Sequence, residues 1–209
     1  MSAEIKLSLK EEQDIAIQAG LQLIPYIGGS LATLYYGTKQ EKRFKRLESF
    51  YQEFSEYISK SGHQFRGIDE FNKDELVFLI EELNEKVERE HTEAKRDFLK
   101  QFLLSTLSQP KGNFDEQRFF LDAVSDMTFL ECDILALLRK ALDALEVGSI
   151  RKDGVEQYAI VGAIGRLKGY GFIRTFTTGM SFGGREDNSL RDGVELTPFG
   201  KKFIAYCLN

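Results

Sequence analysis

Apolar positions recur every three or four residues over most of the chain, the spacing that puts them on one face of a helix. The stripe Phe44, Leu47, Tyr51, Phe54, Ile58, flanked by Phe50 and Tyr57, predicts a helix over 39–59. A second stripe, Leu76, Ile80, Leu83, Val87, His91, Ala94, Phe98 and Phe102, predicts one long helix over 73–108. Asn72 is its cap, and Glu75 stands in the capping-box position. Upstream, 9–37 reads as a helix broken at Ile24–Ser30, where Pro25, Gly28 and Gly29 favour a bend. Further helices are expected over 115–125, 128–143 and 154–168, with Thr128 and Glu131 forming a capping box for the second. The period then shortens toward two across Phe172–Thr178 and again across Val194–Thr197, predicting two strands around a glycine-rich loop. Thr197 and Pro198 open a closing helix as N-cap and first-turn proline.

The dipeptide signals of SQPKGN near 109–113 predict a boundary. The chain is therefore expected to be mainly α, with an N-terminal helical bundle over 1–110. A C-terminal α+β domain over 114–209 follows, in the order helix, helix, helix, strand, loop, strand, helix, which is the layout of a winged helix.

The stretches AIGRLKGYGFIRTF (163–176) and VELTPFGKKFIAYC (194–207) resemble the last two thirds of winged helix-turn-helix domains. PYIGG (25–29), KRFKRLESFY (42–51) and EKVEREHTEAKRDFLKQFLLSTL (85–107) resemble poorly characterised helical proteins of bacteria and phages. Some of those are predicted accessories of phage-defence loci. The resemblance implies a defence-associated regulatory role and carries no established activity with it.

Charge decides how a winged helix would be used. The whole chain has a net charge of −5, and residues 114–209 carry 12 basic and 14 acidic side chains. Phosphate binding demands a basic footprint. Ile160, Ile164 and Leu167 define the buried stripe of 154–168. Tyr158, Gly162, Gly165 and Arg166 then face outward with Val161 alongside, as the docking or recognition surface. One arginine and two glycines read base edges poorly. The wing offers Arg174, Arg185 and Arg191 among Glu186, Asp187 and Asp192. The reading favours another protein as partner, a second copy of the chain included, and keeps DNA as the alternative. Gly162 and Gly165 would let a partner backbone approach closely, or serve packing against the preceding helix.

Ile15–Gly37 contains 23 residues without a charge, and Lys39, Lys42, Arg43, Lys45 and Arg46 follow it. Length meets the roughly 20-residue requirement for a span, but Gln18, Gln22 and Pro25 weaken it. Burial as a core hairpin is the favoured reading. Insertion, with the basic run facing anionic lipid, is the alternative.

Candidate chemistry is sparse. Glu88 and His91 make a single Glu-x-x-His, where a di-iron site needs two plus further carboxylates. His91 lies on the apolar stripe and is expected to pack. Cys132 is expected to be buried and inert, and two cysteines fit a cytoplasmic protein. No nucleophile, phosphate-loop or paired-cysteine motif is present, so the expectation is a binding protein without catalysis, metal or cofactor, acting in the cytoplasm or at the inner face of the membrane.

Overall fold

A computed structural model describes residues 38–61, 70–177 and 188–208. The apolar segment 15–37, Arg185 and the side chains of Lys39, Lys42 and Arg43 lie outside the described residues. The protein is mostly helical, with a small three-stranded antiparallel sheet. No helix among the described residues is long and apolar enough to cross a membrane.

Contacts divide the chain after Ser125 into two compact units. The first contains α1 (Thr38–Ser61), α2 (Lys73–Arg89), α3 (Glu93–Ser108) and most of α4 (Phe114–Asp126). Helix α1 buries Leu47, Phe50, Tyr51, Phe54 and Ile58, while Tyr57 is exposed, as the stripe requires. The Tyr51 hydroxyl donates to Asn84 Oδ1 of α2 at 2.6 Å. Burial raises this phenol's pKa, so it stays a neutral donor. Lys100 of α3 reaches Glu53 of α1 at 2.7 Å and Asp97 at 2.7 Å.

Residues 73–108 do not form the single helix that their pattern predicts. The backbone turns extended at Glu90 (ψ 121°) and Thr92 (ψ 133°), separating α2 from α3. His91 consequently leaves the stripe, and its side chain is 87% exposed rather than packed. The domain boundary also falls one helix later than SQPKGN suggests. Helix α4 buries Phe120, Leu121, Ala123 and Val124. It is joined to α2 and α3 by several contacts within the first unit. The Phe114 ring meets Phe78 edge-on, Arg118 lies over the Phe78 ring, Asp122 pairs with Lys86, and the Ser125 carbonyl accepts from Lys95. The Pro110–Gly112 turn thus links two helices of one core.

The second unit contains α5 (Phe129–Lys140), β1 (Leu145–Glu146), a 3-10 turn at Val147–Ser149, α6 (Gln157–Gly169), β2 (Ile173–Thr177), β3 (Asp192–Leu196) and α7 (Pro198–Cys207). Strand order is β1-β3-β2, with Thr175 opposite Val194 and Leu145 opposite the same valine on the other side. Strand β1 escaped the sequence pattern because two residues are too few to show alternation. The capping box at Thr128 and Glu131 is formed. Helix α6 ends where Gly171 adopts φ +75°. The Phe172 amide then reaches back to the Leu167 carbonyl and the Gly171 amide to that of Lys168, the paired bonds of a Schellman stop. Phe172, fully buried, stacks on Phe203 with centroids 4.1 Å apart. Cys132 of α5 and Cys207 of α7 are both buried, and neither is in a disulfide. Burial, and then the proximity of Cys132, hold the Cys207 thiol well above its ordinary pKa, which leaves it protonated and unreactive.

Candidate functional site

Helix α6 turns Ile160, Ala163, Ile164 and Leu167 into the core. Tyr158, Gly162, Gly165 and Arg166 are exposed on the other side, with Val161 half-buried beside them, as the spacing predicts. Among the described residues, no atom beyond the surrounding turns of α6 would lie within 4 Å of a Cβ at Gly162 or Gly165. Neither glycine is therefore required by a close approach of any described residue, the preceding helix α5 included, which weighs against the packing alternative. Each costs a helix interior about 1 kcal/mol relative to alanine. Gly162→Ala and Gly165→Ala should each stabilise the protein by about that amount in urea denaturation; a loss of stability would show that the fold itself requires them.

The electrostatics of the face differ from the sequence reading in two ways. Arg166 is exposed but not available. Its Nε pairs with Glu131 Oε1 at 2.9 Å, and its Nη2 donates to the Asp126 carbonyl at 3.1 Å and to the Tyr170 hydroxyl at 3.2 Å. The Tyr170 hydroxyl and the Glu131 carboxylate hold its charge more firmly still. Glu131 is 1% exposed, and its other oxygen accepts from the Thr128 amide at 2.6 Å and hydroxyl at 2.8 Å. The second difference lies at the helix start. Glu156 caps α6, accepting from the Tyr158 amide at 2.8 Å and the Ala159 amide at 3.3 Å. A carboxylate thus fills the position where a helix N-terminus would otherwise receive a phosphate.

The other expected cations are scattered or engaged. Arg174 pairs with Glu195 across β2 and β3, Lys168 donates to Thr175 Oγ1 at 2.9 Å, and Arg191 is half-buried. In the first unit Lys45 is exposed, whereas Arg46 donates through Nε to the Glu88 carbonyl at 2.9 Å and is thereby withdrawn from a lipid-facing row. Residues 126–209 carry 11 basic and 11 acidic side chains. Among the described residues no cluster of three His, Cys, Asp or Glu side chains is placed to hold a metal.

The spacing of α6 alone does not bring Glu156, Glu131 or Tyr170 to this face. The pattern predicts a helix from 154, which places Glu156 inside it, whereas the helix starts at Gln157 with Glu156 as its cap. Glu131 was legible only as a local cap. No protein-family model matches this chain, and neither a curated protein nor a solved structure matches it.

Proposed function

We propose that the chain is a non-enzymatic interaction protein of bacterial or phage type, cytoplasmic and defence-associated. Its second unit is a winged helix used as a protein-docking module. The order α5, β1, α6, β2, β3 and the antiparallel sheet β1-β3-β2 support the winged-helix assignment. One observation carries docking over DNA reading. The helix that would enter a groove has a carboxylate on its N-terminus and its single outward arginine tied to Glu131, Asp126 and Tyr170. A base-reading helix needs free donors at these places.

The test compares the native chain with Gly162→Arg, at an exposed position where the new Cβ meets open space. A protein partner that co-purifies from native cells should be lost in the variant. Binding to genomic duplex fragments should stay weaker than micromolar at about 150 mM salt in both. Tight duplex binding that falls about a thousandfold between 50 and 200 mM salt would establish the DNA reading instead.

A further inference from the structure

We propose that the turn at Glu90–Thr92 is a hinge through which two copies of this chain exchange helices. The swapped dimer would replace the turn with one continuous helix from Lys73 to Ser108.

The sequence around the turn does not demand one. Residues 73–108 contain neither proline nor glycine, and Val87 and Ala94, seven positions apart, keep helical phase on either side of the polar run 88–93. Breaks in helices usually have one of those residues or an inserted side chain as their cause. Here the cause is side chains. A continuous helix would bond the Thr92 amide to the Glu88 carbonyl. In this structure the two are separated, and each has a substitute partner. The Thr92 amide donates to Glu90 Oε1 at 2.8 Å, and its hydroxyl donates to the same oxygen at 2.6 Å. The Glu88 carbonyl accepts from Arg46 Nε at 2.9 Å instead.

The turn leaves helical bonds unmade on both sides. Helix α2 makes its last backbone bond from the Glu90 amide to the Lys86 carbonyl, and α3 its first from the Arg96 amide to the Thr92 carbonyl. Thr92 gives α3 no side-chain cap. Straightening would supply helical bonds to the amides of residues 91 and 93–95 and exchange the Glu90 side chain for the Glu88 carbonyl at the Thr92 amide.

Packing decides why a second copy is required. The start of α2 and the end of α3 lie side by side, with Asn72 and Glu75 lining one small cavity together with Thr106 and Gln109. Leu76, Leu79, Leu83, Leu99, Phe102 and Leu103 are all buried in these two helices. Straightening in a lone chain would return them to water, at a cost beyond the stability of an ordinary domain. In an exchanged dimer, α1 and α2 of one copy meet α3 and α4 of the other, and every core contact is remade. Only the hinge then differs between monomer and dimer, and a three-residue hinge is the short kind through which such exchange occurs. This inference concerns the first unit and is independent of the docking face on α6.

The experiment uses the full chain refolded at high concentration, with nitroxides on Asp74→Cys and Ser108→Cys. Cys132 and Cys207, being buried, remain unlabelled. Labelled chain is diluted into an excess of unlabelled chain, so the measured distance lies within one copy. The dimer fraction should show a distance of about 50 Å, the length of 34 residues of helix, while the monomer shows only the short one. Glu90→Ala removes the acceptor that holds the turn and should raise dimer association by about tenfold per hinge. Thr92→Pro has no amide to give Glu88 and would clash inside a continuous helix, so it should remain monomeric. Three results would overturn the proposal: no dimer even with Glu90→Ala, a dimer that keeps the short distance within each copy, or a Thr92→Pro chain that dimerises as readily as the native one.

Discussion

Gly200→Ala should unfold the second unit or leave it barely stable. A Cβ at this position would overlap the Phe172 carbonyl oxygen and lie 2.7 Å from its carbonyl carbon, where carbon–carbon contacts prefer roughly 3.5–4.0 Å. The obstacle is backbone, and it is fixed from several directions. The Phe172 carbonyl accepts from the Thr197 amide at 3.0 Å and from its hydroxyl at 3.1 Å. The same hydroxyl oxygen caps α7 by accepting from the Gly200 amide at 2.9 Å. The Phe172 ring stacks on Phe203 one turn further along α7. Making room would pull α7 off the sheet and separate that stack. Overpacking in a core ordinarily costs about 1–3 kcal/mol, and a backbone clash with no flexible neighbour belongs at or above the upper end. Thermal unfolding followed by circular dichroism reads the loss. Gly162→Ala, on an open face, is the control that should move in the opposite direction. A native-like melting temperature for Gly200→Ala would mean that α7 does not approach Phe172 as described.

Arg166→Ala should destabilise the same unit by about 2–3 kcal/mol, well beyond the usual effect of an exposed side chain. Glu131 sits at 1% exposure, and the guanidinium is the cation placed against its Oε1. Removing one partner of a buried pair typically costs about 3–5 kcal/mol. The smaller figure follows because Arg166 is 51% exposed and Glu131 keeps its two Thr128 bonds. Arg166→Lys should recover only part of the loss, since an ammonium cannot span Glu131, the Asp126 carbonyl and the Tyr170 hydroxyl from one planar fork. Urea unfolding of the native chain and both variants measures the series. An Arg166→Ala chain of native stability would return this residue to the outward, partner-facing role that its sequence position suggests.

What could be read in advance was whatever closes within one helical turn. The box at Thr128 and Glu131, the cap at Thr197 with Pro198 behind it, and the buried stripe Ile160, Ile164, Leu167 each involve residues three or four apart. Local spacing therefore determined them, together with the mainly helical class and the outward placement of Tyr158, Gly162 and Gly165. It could not distinguish one helical glycine from another. Gly200 and Gly162 both interrupt amphipathic helices, and only the backbone of Phe172, 28 positions away, makes the first indispensable.

Tertiary structure decided the remainder through pairs far apart in the chain. Arg166 reads as a free cation until Glu131, 35 residues earlier, is brought beneath it. The stripe of 73–108 reads as one helix until α3 folds back beside α2, with Arg46 taking the Glu88 carbonyl from 42 residues away. The SQPKGN turn reads as a domain boundary until Phe114 and Arg118 meet Phe78 across it. A hydrogen bond or a stripe within one turn is set by the period of the backbone itself. Which distant group meets it depends on how several helices share one core, and no single segment carries that information.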